Sequence, residues 1–444
     1  MLLRRYGTFS GGIDLPDQKS ATLDRPTEPA PLPSRLLVPL ALCGRAPARP
    51  IVRPGDRVSE GQRIAEAADE TAVDVFAPLA GRVVSVEAVA QVAAAEGFVP
   101  SLAIELADLD DRSPPAAHEP VGDWAGAEPP DLADWLRSGG LTTFRRPAEP
   151  LAAWVHRARE RQCDVLIANA VEGQPYVTSD HRLLVEHGPE VVAGLAILGR
   201  IIAPRWLMLA VDYRRTDRYR GLARAAGRHG IANIALPHKY PIGADAMLTK
   251  VLTRRTCAPG ATAMDVGVAV TDAATCLAVF QWITCGIRPT RRVVTVAGER
   301  ARFARNYWAL LGSPCRELIG CDGPVIHGGP MVGLRCAEHA VVCPATDALL
   351  AIHEAPMISP TPCIRCGWCT DHCPARLNVA VLNDDFELSL VDHARRLGVA
   401  ACVECGVCGY VCPARLPLSD RIRQLKRAAG RPAVGAVSTP GGVA

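Results

Sequence analysis

Eight cysteines near the end of the chain stand in two runs of identical form. The first is Cys363-x-x-Cys366-x-x-Cys369-x-x-x-Cys373, followed by Pro374; the second is Cys402-x-x-Cys405-x-x-Cys408-x-x-x-Cys412, followed by Pro413. Three thiolates at this close spacing can wrap three corners of an iron–sulfur cubane while loop amides point at its sulfides. The fourth cysteine starts a segment leading away, so it reaches the other cluster. The spacing therefore predicts two [4Fe–4S] clusters. One would be held by Cys363, Cys366, Cys369 and Cys412, and the other by Cys402, Cys405, Cys408 and Cys373. The proline after each fourth cysteine removes an amide donor and turns the chain. The chemistry of such a pair is the movement of single electrons.

Four cysteines also suit tetrahedral zinc. Zinc ribbons, however, usually set two Cys-x-x-Cys pairs far apart rather than three cysteines in a row before Cys-Pro, and the spacing favours clusters. The other nine cysteines (Cys43, Cys163, Cys257, Cys276, Cys285, Cys315, Cys321, Cys336 and Cys343) share no ligand spacing and read mostly as small buried hydrophobes. Met1 to Tyr6 carries two arginines but no apolar stretch follows, so an export signal is not expected. Seventeen cysteines then fit a reducing compartment with a metal framework better than a disulfide scaffold.

The elements that must position these residues belong to a chain of 444 residues, 49% hydrophobic and 21% charged, the balance of a globular protein with several domains. Its net charge is only +3, and the cluster Arg214, Arg215, Arg218 and Arg220 alternates with Asp212 and Asp217. We read a solvated helix start there rather than a nucleic-acid patch. The apolar segment Val191 to Leu198 is cut short by Arg200, well below the ~20 residues of a membrane span. Residues 1–35 read as an arm, rich in breakers. Residues 36–106 show short strands and turns, at Pro54-Gly55-Asp56 and Pro78-Leu79-Ala80-Gly81, with Val84 and Val86 expected to face inward against Ser85 and Glu87. Their two halves resemble the barrel-sandwich hybrid of biotinyl and lipoyl domains, but the hairpin Glu66 to Val73 has no lysine to acylate. Residues 107–130 read as a linker. Residues 131–285 alternate strands (Val165–Ala168, Trp206–Val211, Ile231–Leu236) with helices (Pro189–Ile202, Asp217–His229), which implies a mostly parallel sheet. A β-rich part follows from Gly286, with Arg292–Gly298 its clearest strand. Helical spacing marks Leu388–Leu397 and Leu418–Ala428 in the cluster region, 351–430, and residues 431–444 read as a flexible tail.

Taken together, several segments resemble the RnfC family, a component of the Rnf (Rsx) electron-transport complex. They are Thr8 to Lys19, Pro54 to Gln62, Asn169-Ala-Val-Glu-Gly-Gln-Pro-Tyr176, Lys239-Tyr-Pro-Ile-Gly243, Arg292 to Gly298, Gly328-Gly-Pro-Met-Val-Gly333 and the two cysteine motifs. The resemblance runs from about residue 6 to 427. It implies a Rossmann- or flavodoxin-like central domain related to the flavin subunit of respiratory complex I. A β-grasp, soluble-ligand-binding module at 286–350 and a helical two-cluster domain would follow. It also implies a peripheral subunit on the cytoplasmic side of a bacterial inner membrane, without a span of its own. That subunit would dock on membrane and peripheral Rnf-type subunits and exchange electrons with ferredoxin or a flavoprotein. Two alternatives share the architecture: a soluble reductase like the cobalamin reductases of microcompartments, and a flavin-free iron–sulfur adaptor.

Family members bind FMN and NADH in the central domain, and Asn169 and Glu172 occupy positions like the family's flavin and nucleotide contacts. Gln174, however, stands where a second carboxylate is usual, and Asp272 where an asparagine is usual. The family's Gly-x-Gly-Gly-Ala-Gly-Phe-Pro-Thr loop is replaced by Gly139-Gly140-Leu141-Thr142-Thr143-Phe144-Arg145-Arg146-Pro147. Fewer glycines means fewer amides able to approach a phosphate closely, although Arg145 or Arg146 could meet one by charge. The expectation is weak or absent FMN binding and poor NADH oxidation by the isolated chain, with both clusters kept.

Overall fold

A computed structural model describes residues 8–41, 45–95, 97–113, 120, 123–353 and 359–430. Cys43 and the tail from 431 lie outside the described residues. The chain divides into two compact units. The larger holds Asp14–Thr256 and Thr262–Pro356; the smaller gathers Thr8–Ile13, Cys257–Ala261 and the region from Met357 onward.

In the larger unit, β1 (Glu28–Pro29) belongs to the N-terminal arm. A barrel-sandwich module follows: β2 (Leu36–Pro39), β3 (Arg49–Pro50), β4 (Arg57–Val58), β5 (Arg63–Glu66), β6 (Val75–Phe76), β7 (Ala80–Ala94) and β8 (Gly97–Asp110). Its sheets run β2-β8-β7-β4 and β3-β5-β6, around Leu36, Ile64, Val83, Ile104 and Leu106. The inward face of β7 differs in part from the expected one, although Val86 packs against this core as expected. Val83 is fully buried and Val84 is exposed, because the β7–β8 register shifts at Val83/Ser85 and again at Ser85/Ala88. Such bulges reset which side of the strand faces the core.

The central module starts with α1 (Pro129–Ser138) and α2 (Leu151–Glu160); β8 enters one end of the stretch read as a linker and α1 the other. Then come β9 (Val165–Ala170), α3 (Ser179–Ile202), β10 (Trp206–Asp212), α4 (Leu222–Arg228), β11 (Ala232–Leu236), α5 (Asp245–Thr253), β12 (Val268–Asp272) and α6 (Ala273–Cys285). The sheet is parallel, in the order β11-β10-β9-β12. Strands covered on both faces need no alternation, which is why β9 reads as the unbroken run Val165-Leu-Ile-Ala. Helix α3 begins ten residues before the expected Pro189 and bends at His187 (φ −132°). Proline lacks the amide a straight helix would use and its ring crowds the preceding turn. The arginines expected at a solvated helix start lie instead in or beside a 3-10 turn, Tyr213–Arg218. Arg214 and Arg215 pair with Asp17, and Arg218 pairs with Asp24, so they pin the arm.

The third module contains β13 (Arg291–Ala297), β14 (Arg305–Leu310), α7 (Cys315–Ile319), β15 (Ile326–His327), β16 (Leu334–Arg335) and β17 (Ala348–Leu350). A β13–β14 hairpin, one helix, and a last strand parallel to the first give the order β14-β13-β17-β15-β16 of a β-grasp, with β1 added at the β14 edge.

The smaller unit contains α8 (Trp368–Asp371), α9 (Val379–Glu387), α10 (Val391–Arg396), α11 (Val407–Tyr410) and α12 (Leu418–Gly430) around Leu382, Val399, Leu418 and Ile422. It is built twice. A shift of 39 residues carries Cys363 onto Cys402, α8 onto α11 and the start of α9 onto that of α12. The backbone repeats as well: Arg365 and Glu404 both have φ 56°, Gly367 and Gly406 both φ 80°, and Arg376 and Arg415 φ 58° and 53°. No helix among the described residues is long and apolar enough to cross a membrane.

Candidate functional site

Each cysteine loop is shaped by a left-handed residue before its second cysteine and a left-handed glycine after it, Gly367 or Gly406, which also caps the following short helix. Left-handed residues thus flank the second cysteine of each loop on both sides, a tight turn of the kind that can present backbone amides to an anion. Amides also reach the cysteine sulfurs: Glu404 N donates to Cys402 Sγ and Leu377 N to Cys373 Sγ, both at 3.4 Å.

The structure brings the cysteines together across the repeat. Cys373 lines one cavity with Cys402, Cys405 and Cys408. Cys402, Cys405 and Cys408 all lie within electrostatic reach of Cys373, and Cys369 lies within reach of Cys366 and Cys412. Among the described residues no three His, Cys, Asp or Glu side chains converge to hold a single metal ion; Cys373, Cys402, Cys405 and Cys408 border a cavity instead. Burial pushes the Cys405 thiol up to about 12 and Cys408 up to about 11, and raises Cys402 and Cys369. Such thiols hold their protons at neutral pH, and loading a cationic iron core must displace them. The residues present fit a pair of cubanes.

One contributor was not legible in the sequence. The segment Thr8–Ile13 lies along the loop that carries Cys373, with Gly12 N donating to His372 O at 2.9 Å. Gly11 has φ 70°, and a Cβ there would sit 2.6 Å from Cys373 O. Two glycines from the far end of the chain thus let a strap close on the fourth ligand's turn. The only signal was Gly11-Gly12 itself, which reads equally as a loop.

The second region is the crevice between β9 and β12, where the chain reverses direction across the sheet and α/β proteins commonly bind ligands. Asn169 and Asp272 face each other there in register. Every residue singled out from the sequence is engaged within the protein. Asn169 Nδ2 donates to Gly243 O at 2.8 Å, and its Oδ1 accepts from Val171 N at 3.1 Å. Glu172 accepts from Asp180 N and His181 N at 2.7 and 3.1 Å, holding the start of α3. Burial raises this carboxyl, against the pull of Lys19. The buried Lys19 Nζ donates to Glu172 O at 2.6 Å, and burial lowers it from its ordinary range. Gln174 Oε1 accepts from Met331 N and Val332 N, clamping the Gly328–Gly333 turn. Asp272 caps α6 through Thr275 N and Oγ1, both at 2.7 Å.

The Gly139–Pro147 loop is likewise consumed. Gly139 N, Gly140 N, Leu141 N and Thr143 N donate to backbone carbonyls, and Phe144 N donates to Thr275 Oγ1 at 2.8 Å. Its glycines serve packing. A Cβ on Gly139 would lie 2.5 Å from Trp282 Nε1, and one on Gly140 would lie 2.5 Å from Asp74 O. Arg145 is spent on Asp245 and Val270 O, and Arg146 on Val332 O. One cavity beside the loop is lined mainly by apolar groups with Asp74 and by no lysine or arginine; another, reached at Leu141, is lined by Arg45, Arg137, His156, Arg157 and Arg159. A flavin phosphate needs several free converging donors, and five amides of this loop, those of Gly139, Gly140, Leu141, Thr143 and Phe144, already have partners within the protein.

Comparison with known proteins matches the same order of modules. A family model described as the RnfC barrel sandwich hybrid domain matches residues 7–108, the Nuo51 FMN-binding domain matches 149–281, and the 4Fe-4S dicluster domain matches 355–413. The flavin-domain match thus begins just after the glycine-poor loop. The RnfC-type component of the ion-translocating oxidoreductase complex of Edwardsiella ictaluri is 32% identical over 386 residues, covering 84% of this chain and 48% of that protein. Its counterpart in the proton-translocating ferredoxin:NAD(+) oxidoreductase complex of Clostridium ljungdahlii is 28% identical, covering 85% and 84%. The chain spans about half the length of several of the relatives it matches. Against the Rhodobacter capsulatus counterpart, identity is 31% over 404 residues, covering 88% of this chain and 77% of the relative. With identity above 30% over most of both chains in the Rhodobacter capsulatus relative, and the barrel-sandwich, complex-I-like and dicluster matches in order along this chain, the chain belongs to the RnfC family of ion-translocating oxidoreductase components.

Proposed function

We propose that this chain is the electron-relay subunit of an Rnf-type ion-translocating ferredoxin:NAD oxidoreductase. It would be attached peripherally on the cytoplasmic side of the inner membrane, docked on Rnf-type subunits, and would exchange electrons with ferredoxin or a flavoprotein. Its [4Fe–4S] clusters, when bound, each take up and release one electron without a proton. Cys363, Cys366, Cys369 and Cys412 hold one cluster, and Cys402, Cys405, Cys408 and Cys373 hold the other. The observation that carries this reading is the cavity that Cys373 shares with Cys402, Cys405 and Cys408. Crossed fourth ligands bring the two centres close together, the condition for rapid transfer between them. The chain's own residues supply the turn amides and the charged side chains around each loop. The central module acts as a scaffold, because its crevice and loop are filled by internal bonds; Asn169 and Glu172 keep that scaffold in place and touch no flavin.

The test is anaerobic purification with iron, sulfide and flavin quantified, followed by EPR of the reduced protein. The expected result is about eight iron and eight sulfide per chain, interacting signals, and little or no FMN. Cys373→Ser should perturb the centre held by Cys402, Cys405 and Cys408. Stoichiometric FMN with rapid cluster reduction by NADH alone would overturn the flavin-free reading. A change confined to the Cys363 centre in Cys373→Ser would overturn the ligand sets.

A further inference from the structure

The two halves of the cluster unit share a backbone but carry opposite charges at matching positions. In the first half Arg365 pairs with Asp384 at 2.6 Å and lies near Glu387. Thirty-nine residues on, the loop residue is Glu404, and it pairs with Arg423 at 3.3 Å and Lys426 at 2.7 Å. One cation backed by two anions has become one anion backed by two cations. Each set has a further partner: Arg421 meets Glu387 at 2.5 Å, which closes the first set to neutrality, and the 66%-exposed Asp420 meets Arg423 at 3.1 Å, where solvent screens it, so the second set keeps an excess of positive charge. Lys426 Nζ also donates to Cys402 O at 2.8 Å, the backbone of a cluster cysteine.

We propose that this charge inversion, carried by Lys426 and Arg423 against Asp384 and Glu387, makes the centre of Cys402, Cys405, Cys408 and Cys373 the higher-potential of the two. The proposal rests on the ligand sets given above. Adding an electron makes a cluster more negative, so nearby net positive charge favours reduction and net negative charge opposes it. Hydrogen bonds to ligand sulfur act in the same sense. At the second centre, Glu404 N and Leu377 N donate to ligand sulfurs, and Ser419 Oγ lies 3.8 Å from Cys408 Sγ. The position matching Ser419 is Ala380, but at the first centre Thr370 bonds to Cys369 through its hydroxyl and its amide, so hydrogen bonds serve both centres and the charges carry the difference.

Burial opposes this order. Cys405 is 9% exposed while its counterpart Cys366 is open to solvent, and a dry site disfavours the more charged form. The charges win for two reasons. The other ligands of the second centre are only partly buried, so its desolvation is incomplete. Arg423 and Lys426 are 26% and 30% exposed, about as covered as Asp384 at 29%, but Glu387 is 52% exposed and answered by Arg421, while the anion opposite Arg423, Asp420, is 66% exposed and screened by solvent. An electron arriving at the open Cys366 side therefore runs downhill to the covered centre. Lys426 acts as a positioning residue for charge, without touching substrate.

The experiment is an EPR-monitored redox titration of the cluster-loaded full chain, which shows two one-electron steps. Lys426→Met should lower the upper step about tenfold in equilibrium constant, about 59 mV for a one-electron couple. Glu387→Gln should raise the lower step, so the gap narrows from both sides. Lys426→Arg should keep the wild-type potentials, with iron content unchanged in all three variants, which separates charge from folding. If Cys373→Ser moves only the lower step, the ligand sets fall and the proposal falls with them. If Cys373→Ser moves the upper step but Lys426→Met leaves it in place, the ligand sets stand and the charge inversion does not set the order.

Discussion

Glu172, at a family contact position, serves the fold of this chain. It spends its carboxylate on two amides at the start of α3, and a lost cap of this kind costs about 1–2 kcal/mol. Glu172→Ala should therefore lower the denaturation midpoint of the larger unit while leaving cluster content and electron transfer nearly unchanged. A collapse of electron transfer in a stably folded variant would return Glu172 to the chemistry. Two histidines make a pH prediction at the same scale. Burial, then Arg182, pulls His181 down to about 4, and burial, then Arg146, pulls His327 down to about 3. The fold holds both neutral, whereas the unfolded chain protonates them near 6.5. Their contribution is complete above that value and is lost as pH falls from about 6.5 toward 4. Urea denaturation across this window should show stability falling with pH, and His181→Gln should flatten the fall. An unchanged slope in that variant would assign the effect elsewhere.

Elements are held by contacts that only small residues allow. Helices α3 and α6 cross so closely at Gly194 that a Cβ there would lie 1.7 Å from Cys276 O. Nothing flexible can yield, because the opposing atom is backbone. Gly194→Ala should cost about 1–3 kcal/mol or more by forcing the helices apart. Gly227→Ala is the control: it lies inside α4 with nothing within 4 Å of its Cβ position, and should be neutral or gain about 0.5–1 kcal/mol from helix propensity. Equal losses in the two variants, read from chemical denaturation, would show that helix packing is not what Gly194 provides. The helix itself was legible from Pro189 onward. Its first turns were not, since a proline looks like a start when it is in fact a bend.

At the scale of the whole chain, stability is divided between the two units. The larger has several apolar cores of its own, while the smaller packs a handful of apolar residues beside eight cysteines. A domain with so small a core leans on its metal centres, because ligand binding is then part of folding free energy. Removing iron with a chelator should split thermal unfolding into two transitions. The cluster unit should melt far below its loaded value, and the larger unit should be unmoved. A single cooperative transition before and after chelation would show that the units do not fold separately.

The sequence by itself determined the cysteine pairs, the parallel strands and the order of modules. Those signals are local: a ligand motif needs its spacing, and a strand buried on both faces needs an apolar run such as Val165–Ala168. The same locality exposed the missing glycines between Gly139 and Pro147. Tertiary structure decided what those residues do. Arg145 meets Asp245 one hundred residues away, Gln174 meets Met331 and Val332 across another module, and Gly12 reaches His372 from the opposite end of the chain. The inward face of β7 was also decided late, by bulges that depend on its partner strand. Hydrogen bonds and charges between distant residues leave no periodic trace in a sequence. Only folding shows which partners the crevice residues take, and that the residues facing two matching cysteine loops carry opposite charges.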